Sequence, residues 1–302
     1  MSSTFDELTE RVDTLLHGYS LNTESTTWLT ISATTASTTL TVYDAGNVGR
    51  GNIQIGDEII YVNNTNNVDN TLTISPWGRA QRGTTAAAYA INEKVTVSPM
   101  FPRNEIKKAI NDTINSIGSN IFAVGQTEFT YVAAKTTYDI DDSAEDILSV
   151  THSLIGPSKE WYPVRAYQFD RAANPTAFGT GGNLGKSISV YSSIMPGRTV
   201  SVVYSKRPTL FTAGAQDFVT QTGLPSFAED VIIYGAAFRM VSFLDPSRLG
   251  PMSAEADVVD QQRGAGAGTA AARFLFNVYQ TRLNEVAKEL QRSYPVRSHY
   301  QR

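Results

Sequence analysis

The sequence of 302 residues has no cysteine, which excludes disulfide bonds and thiolate metal sites. It also has no apolar run close to the roughly eighteen residues that span a bilayer. Its start is an amphipathic acidic pattern, whereas a signal peptide needs a basic start and an apolar centre. We therefore expect a protein without membrane contact, made in a cytoplasm and not exported through a cleaved signal.

Charged residues are also scarce, at 18% of the chain, so serine, threonine, asparagine and glutamine must cover much of the surface. The formal net charge of −4 argues against a protein that coats nucleic acid along its whole length. This average hides an asymmetry. Residues 263–302 carry seven basic and two acidic side chains, a charge of +5, and the rest of the chain carries −9.

Patterns typical of enzymes are missing as well. The three histidines lie in different segments without metal-ligand spacing, and no serine lies in a G-x-S-x-G elbow. The segment Gly179–Ser187 looks like a P-loop, but Thr180 stands where the motif requires a glycine. The residues that follow alternate like a strand, whereas a P-loop opens a helix. We predict a protein that is not an enzyme and that holds no cofactor or metal.

Five carboxylates are concentrated in the segment from Asp139 to Asp146. Asp139 and Asp141 could share one face of a strand and bind a hard cation such as Ca²⁺. The segment lacks the glycine and the terminal glutamate spacing of an EF-hand loop. A structural or interface role, such as pairing with an arginine of a neighbouring copy, is therefore favoured over cation binding.

The first two segments of the chain differ in hydrophobic period. Residues 1–20 predict an amphipathic helix whose single apolar stripe must dock on its own β module or on another copy. Residues 26–98 predict a small β module, because runs that alternate with period two are separated by turns rich in glycine and asparagine.

Residues 101–292 predict a larger unit of helix, β-rich block and helix. An apolar helix is predicted after Leu224-Pro225, a short one over 254–262, and the longest over 269–292. Residues 293–302 form a basic and aromatic terminus. The first helix of this unit carries one stripe of isoleucines: Ile106, Ile110, Ile114 and Ile117.

Part of the β module resembles a small β-barrel-like module that recurs in virion proteins of tailed phages. The residues that carry the resemblance are Gly56–Val62, Arg82–Ala90 and Val95. The recurrent pattern is G-E-x-I-x-V, then R-G-x-x-G-T-x-A-x-x-H, then G-x-x-V. This chain departs from it with Tyr89 in place of the histidine and Asn92 near the place of a glycine. The resemblance implies a virion context.

The layout of residues 101–292 resembles the head-to-tail adaptor, or connector, proteins of tailed phages. The resemblance implies an α+β fold in which a helical bundle layer packs with a β-sandwich-like block. In this chain an N-terminal small β-barrel-like module is added to that fold. The motifs that match follow the same order as in the family: Ala109-Ile110, Gly125–Phe129, Asp146–Val150, Trp161–Val164, Val200–Pro208 and Leu224-Pro225.

The same resemblance implies a structural virion protein at the head-tail junction, synthesised in the host cytoplasm. Twelve copies would form a ring that joins the portal protein to tail or neck proteins. The ring would continue the channel through which genomic DNA passes without sequence readout. No reaction is implied.

The C-terminal arm, residues 293–302, is the predicted contact with the portal, because adaptors of this kind use that arm to bind it. Its predicted anchors are Tyr294, Arg297, Tyr300 and Arg302. Contact with DNA phosphates and a solvated terminus are the alternatives. Three cations of the last helix are candidates for the DNA channel or a subunit interface: Arg282, Lys288 and Arg292.

Two other classes of function remain open at this point. A different neck, tail-hub or baseplate protein would suit the β module equally well. A carbohydrate-binding receptor module could use Trp28, Trp77 and Trp161 to stack on sugars, although we expect these tryptophans to be buried in a core.

Overall fold

The computed structural model describes residues 2–18, 24–118, 120–154, 160–174, 185–242 and 267–295. It has the mixed α+β composition that the sequence predicts. The chain divides into two compact units. The first consists of Met1–Thr4, Ile114–Val231 and Gln280–Arg302, and the second of Phe5–Thr113 and Ile232–Tyr279. The predicted division into functional modules remains a prediction.

The second unit contains one six-stranded antiparallel sheet. Its strands are β1 Ser25–Trp28, β2 Thr39–Thr41, β3 Gly51–Ile55, β4 Glu58–Asn66, β5 Thr71–Ile74 and β6 Lys94–Val97. They lie in the order β1-β6-β3-β4-β5-β2, so β1 and β2 are the edge strands.

The two edge strands are bonded to each other just beyond their ends, where Leu29 and Val42 form a β-bridge. Thr30 N donates to Thr41 O at 2.9 Å, and Tyr43 N donates to Trp28 O at 2.9 Å. The sheet therefore curls into a partly closed barrel, in keeping with the β-barrel-like module that the resemblance implies. Its interior is filled by buried apolar side chains, among them Leu29, Leu40, Val42, Ile53, Ile60, Leu72 and Val95.

The N-terminal helix α1, Phe5–His17, docks on its own chain. Its apolar stripe is fully buried at Leu8, Val12 and Leu16. Its polar side is held by helix α2, Arg103–Ile117, because Lys107 Nζ lies 2.7 Å from Asp6 Oδ1. The same ammonium lies 2.5 Å from Asp57 Oδ2, in the turn between β3 and β4. One lysine thus links α1 to the barrel.

The first unit contains two antiparallel sheets. Their strands are β7 Ala123–Thr130, β8 Thr137–Ile140, β9 Ala144–Ser153, β10 Trp161–Pro163, β11 Tyr167–Ala173, β12 Gly185–Val190 and β13 Thr199–Lys206. One sheet has the order β10-β9-β13-β7 and the other β11-β12-β8. Side chains of both sheets share one core, among them Tyr138, Ile188, Val190, Val200 and Val202. This block is the β-sandwich-like part of the predicted fold.

The remaining helices are α3 Phe218–Thr222, α4 Glu229–Ser242 and α5 Ala267–Ser293, with a 3₁₀ turn at Ser226–Ala228. The stripe predicted for α2 is confirmed, since its four isoleucines are buried. Of the stripe predicted for α5, Leu275, Leu283, Val286 and Leu290 are buried, whereas Val278 and Tyr279 are half-buried. The helix predicted over 254–262 lies outside the described residues. In the part of the chain that the structure describes, no helix combines the length and apolar character needed to cross a membrane.

The expectation that the three tryptophans are buried is wrong. Trp28 is 47% exposed, Trp77 is 63% exposed and Trp161 is 46% exposed. Trp28 alternates with the buried Thr27 and Leu29, so it lies on the outer face of the barrel. Trp161 begins β10, a three-residue strand at a sheet edge.

Helices α2, α4 and α5 approach one another closely at Gly235. A Cβ atom at this position would lie 2.5 Å from Thr113 Cγ2 and 2.9 Å from Tyr279 Cε2. The aromatic rings of Phe238 and Phe276 meet one turn along, with centroids 5.2 Å apart. The absence of a side chain at Gly235 therefore lets three helix surfaces meet.

Replacing Gly235 with alanine should lower the melting temperature, although alanine favours helix by about 1 kcal/mol. The added methyl group overlaps a β-branched side chain and an aromatic ring, and overpacking of this kind costs about 1–3 kcal/mol. Gly235→Val should cost more. Gly49→Ala is the control, because a Cβ atom there meets nothing within 4 Å. Equal melting temperatures for Gly235→Val and Gly49→Ala would contradict the close contact.

Candidate interaction surfaces

The predicted portal arm is described only at its start. Tyr294 follows the last turn of α5, where its N donates to Leu290 O at 2.8 Å. Its ring meets Phe122 edge-on, with centroids 6.4 Å apart. Tyr294 is thus half-buried against its own chain. Three other predicted anchors, Arg297, Tyr300 and Arg302, lie outside the described residues.

The three candidate cations of α5 are all exposed. Arg282 Nη1 donates to Glu285 Oε2 at 2.8 Å, one turn along the helix. Lys288 and Arg292 stand on the same helix, whose opposite side buries Leu283, Val286 and Leu290. The structure therefore makes these cations accessible, and their contacts with DNA or a neighbouring subunit remain a prediction.

A groove of about 790 Å³ adjoins the end of the described chain, because Pro295 forms part of its wall. Seven consecutive residues of β9, Glu145–Thr151, line this groove. Since successive side chains of a strand point to opposite faces, the groove runs along the edge of β9. That edge is accessible because β10 pairs only with Thr151–Ser153.

The acidic segment Asp139–Asp146 pairs with arginines of its own chain. Asp146 bonds to Arg171, and Glu145 Oε1 lies 2.7 Å from Arg207 Nε. Among the described residues, no three His, Cys, Asp or Glu side chains come close enough to hold a metal ion. These two ion pairs lie within one chain, and a role of the segment at an interface remains a prediction.

Two aspartates of this segment have pKa values displaced in opposite directions. Burial and then the charge of Asp142 raise the pKa of Asp139. Hydrogen bonds from the side chain and the backbone of Ser143 lower the pKa of Asp141. Asp139 lies on β8, and Asp141 caps the turn that follows, where Ser143 N donates to its Oδ1 at 2.8 Å.

The most extensive polar cluster of the barrel surrounds the buried carboxylate of Glu58, which is 1% exposed. Arg79 donates to both of its oxygens, from Nε at 2.7 Å and from Nη2 at 2.8 Å. The backbone amides of Ala80 and Ala87 donate at 2.9 and 3.1 Å, and Tyr89 Oη donates at 2.9 Å. Residues 82–90 are therefore hydrogen-bonded to β4 through the carboxylate of Glu58.

The cluster continues through Arg79, whose other guanidinium N–H groups donate to backbone carbonyls. Nη1 donates to Thr34 O at 2.7 Å, and Nη2 donates to Ala87 O at 2.7 Å. The connection between β1 and β2 and the connection between β5 and β6 thus meet strand β4 at one ion pair. Tyr89, which stands where the recurrent phage module has a histidine, supplies a hydroxyl donor to the same carboxylate.

The pKa values of this cluster reflect a paired buried charge. Burial alone would raise the pKa of Glu58, but the bonds from Arg79, Ala80, Ala87 and Tyr89 outweigh it and hold that pKa below its ordinary value. The bond to Glu58 raises the pKa of Arg79. Burial, together with the charge of Glu58, raises the pKa of Tyr89 strongly. Glu58 therefore stays ionised and Tyr89 stays protonated at neutral pH.

Exposed aromatic rings form a second feature of the barrel surface. Trp77 stacks on Tyr61 with ring centroids 5.1 Å apart and an angle of 22° between the planes. Arg50 Nε donates to Tyr61 Oη at 2.9 Å, which fixes the supporting ring. On another strand pair, Tyr43 is 74% exposed beside Trp28. These rings are available to a ligand or a partner protein, as the carbohydrate-binding alternative requires.

The chain was compared with known protein families. The model of the SU10 adaptor protein family matches residues 84–299, more than two thirds of the chain. The matched region covers the β block, helices α2 to α5 and most of the C-terminal arm. No curated protein matches the chain.

Replacing Glu58 with glutamine should lower the free energy of unfolding by about 3 kcal/mol at neutral pH, because Arg79 then lies buried without a counter-charge. The pKa of Glu58 is lowered in the fold, so its contribution is complete above the ordinary value of 4.5 and is lost as the pH falls through the lower value. Chemical denaturation at pH 7 and pH 3.5 measures both effects.

Glu93→Gln serves as the control, since Glu93 is an exposed carboxylate of the same module. The deficit of Glu58→Gln relative to the unsubstituted chain should shrink at pH 3.5. A deficit that is the same at both pH values would show that the charge of Glu58 does not stabilise the barrel.

Proposed function

Because the chain belongs to the SU10 adaptor protein family, we propose that it is the head-to-tail adaptor of a tailed bacteriophage. Family membership makes it a structural phage protein that acts with other head and tail proteins. In more detail, the proposed role is that of a ring of twelve copies between the portal and the tail. The observation that carries the proposal is the span of the family match, which includes the β block and most of the C-terminal arm.

The proposed mechanism is mechanical, and it rests on interfaces without a catalysed reaction. The contacts of α2, α4 and α5 at Gly235 and at Phe238 support a helical layer that keeps its shape under load. The surface offers few charges and many exposed aromatic rings, which suits broad and repeated subunit contacts. The small barrel is an additional module on this scaffold.

The proposed lumen would carry the genomic DNA past the exposed cations of α5. Arg282, Lys288 and Arg292 would contact phosphates or a neighbouring subunit, and neither contact reads a base sequence. The portal contact is assigned to the arm that follows Tyr294, with Arg297, Tyr300 and Arg302 as its anchors. The edge-on contact between the rings of Tyr294 and Phe122 supports a fixed exit point for this arm.

Removal of residues 296–302 should abolish binding to heads that carry the portal and leave the melting temperature almost unchanged. The truncated chain keeps the contact of Tyr294 with Phe122, so its core is intact. Co-sedimentation with tail-less heads measures the binding. In the full-length chain, Arg297→Glu should weaken binding by about tenfold, the effect of losing roughly 1.4 kcal/mol at an interface.

Lys94→Glu is the matched control, because it makes the same change in charge at an exposed position of the barrel. It should bind within about twofold of the unsubstituted chain, as a rim charge away from the contact does. If the truncated chain binds as well as the full-length chain, the arm is not part of the portal contact.

A further inference from the structure

Strand β7 has the longest regular open edge in the described chain. It pairs with β13 over all eight residues, from Ala123 with Lys206 to Thr130 with Thr199, without a shift in register. Within the ranges that the structure describes, no strand and no backbone group bonds to its other side. The open edge is about 26 Å long at 3.3 Å per residue.

This edge also lacks the devices by which proteins protect such strands. The sequence of β7 contains no proline and no lysine, and its ladder with β13 contains no bulge. The outer side chains Gln126, Glu128 and Thr130 are exposed. Because the unpaired groups of a strand are a row of backbone donors and acceptors, the occupant that fits them is another extended strand.

A second open edge lies on the opposite side of the same sandwich. Within the described residues, strand β11 pairs only with β12 and ends its sheet, and the other two edge strands of the sandwich, β8 and β10, have only four and three residues. The Phe129 ring of β7 stacks on Tyr138 of β8 with centroids 4.1 Å apart, so β7 and β8 lie on one side. Strand β11 lies at the other end of that sheet and follows β10, the far edge of the first sheet, after only three residues.

Two open edges on opposite sides of one block allow copies of the chain to join head to tail. Such a contact uses a different surface on each copy, so it propagates around a ring until the ring closes. Both edges carry exposed polar side chains without charge, Gln126 on β7 and Gln168 on β11. A contact of β7 with β7 would instead join two copies and stop.

We propose that β7 of one copy pairs antiparallel with β11 of the next copy and thereby forms a subunit contact of the ring. This inference rests on the proposed function and names the strands that join the subunits. Antiparallel pairing is chosen because every strand pair of both sandwich sheets is antiparallel. The partner is a second copy of this chain, identified by the two complementary edges that one chain carries.

The absence of cysteine allows a direct test by cross-linking. Paired strands place opposite Cα atoms about 4.5–5.5 Å apart, within the range of a disulfide bond. Particles would be assembled from chains with one cysteine on each edge, at Gln126 or Glu128 and at Gln168 or Asp170, and then oxidised. We expect at least one of the four pairs to give a ladder of oligomers on a non-reducing gel.

The controls separate this contact from other arrangements. Each single-cysteine variant should remain a monomer on the gel. The pair Thr96→Cys with Gln168→Cys should also remain monomeric, because Thr96 of β6 is paired on both sides, with Thr26 of β1 and with Gln54 of β3. Dimers from Glu128→Cys or Gln126→Cys alone would reveal a contact between two β7 strands and overturn the proposal.

A backbone substitution gives a second, independent measurement. Successive NH groups of a strand point to opposite sides, so one of the variants Gln126→Pro and Thr127→Pro removes an NH from the open edge and the other removes one from the ladder with β13. The variant that melts at the higher temperature is the edge variant. We expect this variant to stay folded and to be missing from particles.

The outcomes distinguish this proposal from the proposed function. If the unsubstituted chain is found as a ring at the head-tail junction but none of the four pairs gives a ladder, the strand contact is wrong and the adaptor function stands. If the edge proline variant assembles as well as the unsubstituted chain, the strand contact is likewise wrong. If the unsubstituted chain is found elsewhere in the particle, the adaptor function fails first.

Discussion

A strand at the edge of a sheet presents backbone donors and acceptors that need partners, and the two sheet systems of this protein meet that requirement differently. The small barrel satisfies its own edges, because β1 and β2 are bonded to each other at Leu29 and Val42. The sandwich leaves β7 and β11 open within the described chain. The barrel is therefore complete in one chain, whereas the sandwich has surfaces that assembly can complete.

A similar requirement applies to the buried charge of Glu58. A carboxylate removed from water is tolerated only when its oxygens are paired, and here a guanidinium, two amides and a phenol surround it. The ion pair of Glu58 and Arg79 holds together loops that have little apolar surface of their own. In a protein with few charged residues, this one ion pair holds the closing string of the barrel in place.

The sequence predicted those features that depend on local periodicity. The isoleucine stripe of α2 and most of the leucine and valine stripe of α5 are buried as their spacing requires, because both helices fold around one apolar face. Period-two alternation likewise predicted strands in residues 26–98 and in the β-rich block of residues 101–292, and the structure has strands in both. Belonging to an adaptor family was inferred from short motifs such as Trp161–Val164, and the family match supports it.

Features that depend on strand order could not be predicted in this way. The bond between Glu58 and Tyr89 joins residues 31 positions apart, and only the closed sheet brings them together. Alternation within β7 indicates a strand but not that it lies at an edge. The exposure of Trp28 was missed for the same reason, since an apolar residue on the outer face of a barrel has the same local pattern as one inside it. Trp77 lies in the connection after β5 and Trp161 at the start of an edge strand, and local pattern shows neither position.

The assignment as a head-to-tail adaptor is tested most directly by cryo-electron microscopy of the particle that contains this chain. We expect a twelve-fold ring of the protein directly below the portal, with its lumen in line with the DNA channel. Density with three-, five- or six-fold symmetry further down the tail would keep the protein among the structural parts of the virion and would contradict the adaptor assignment.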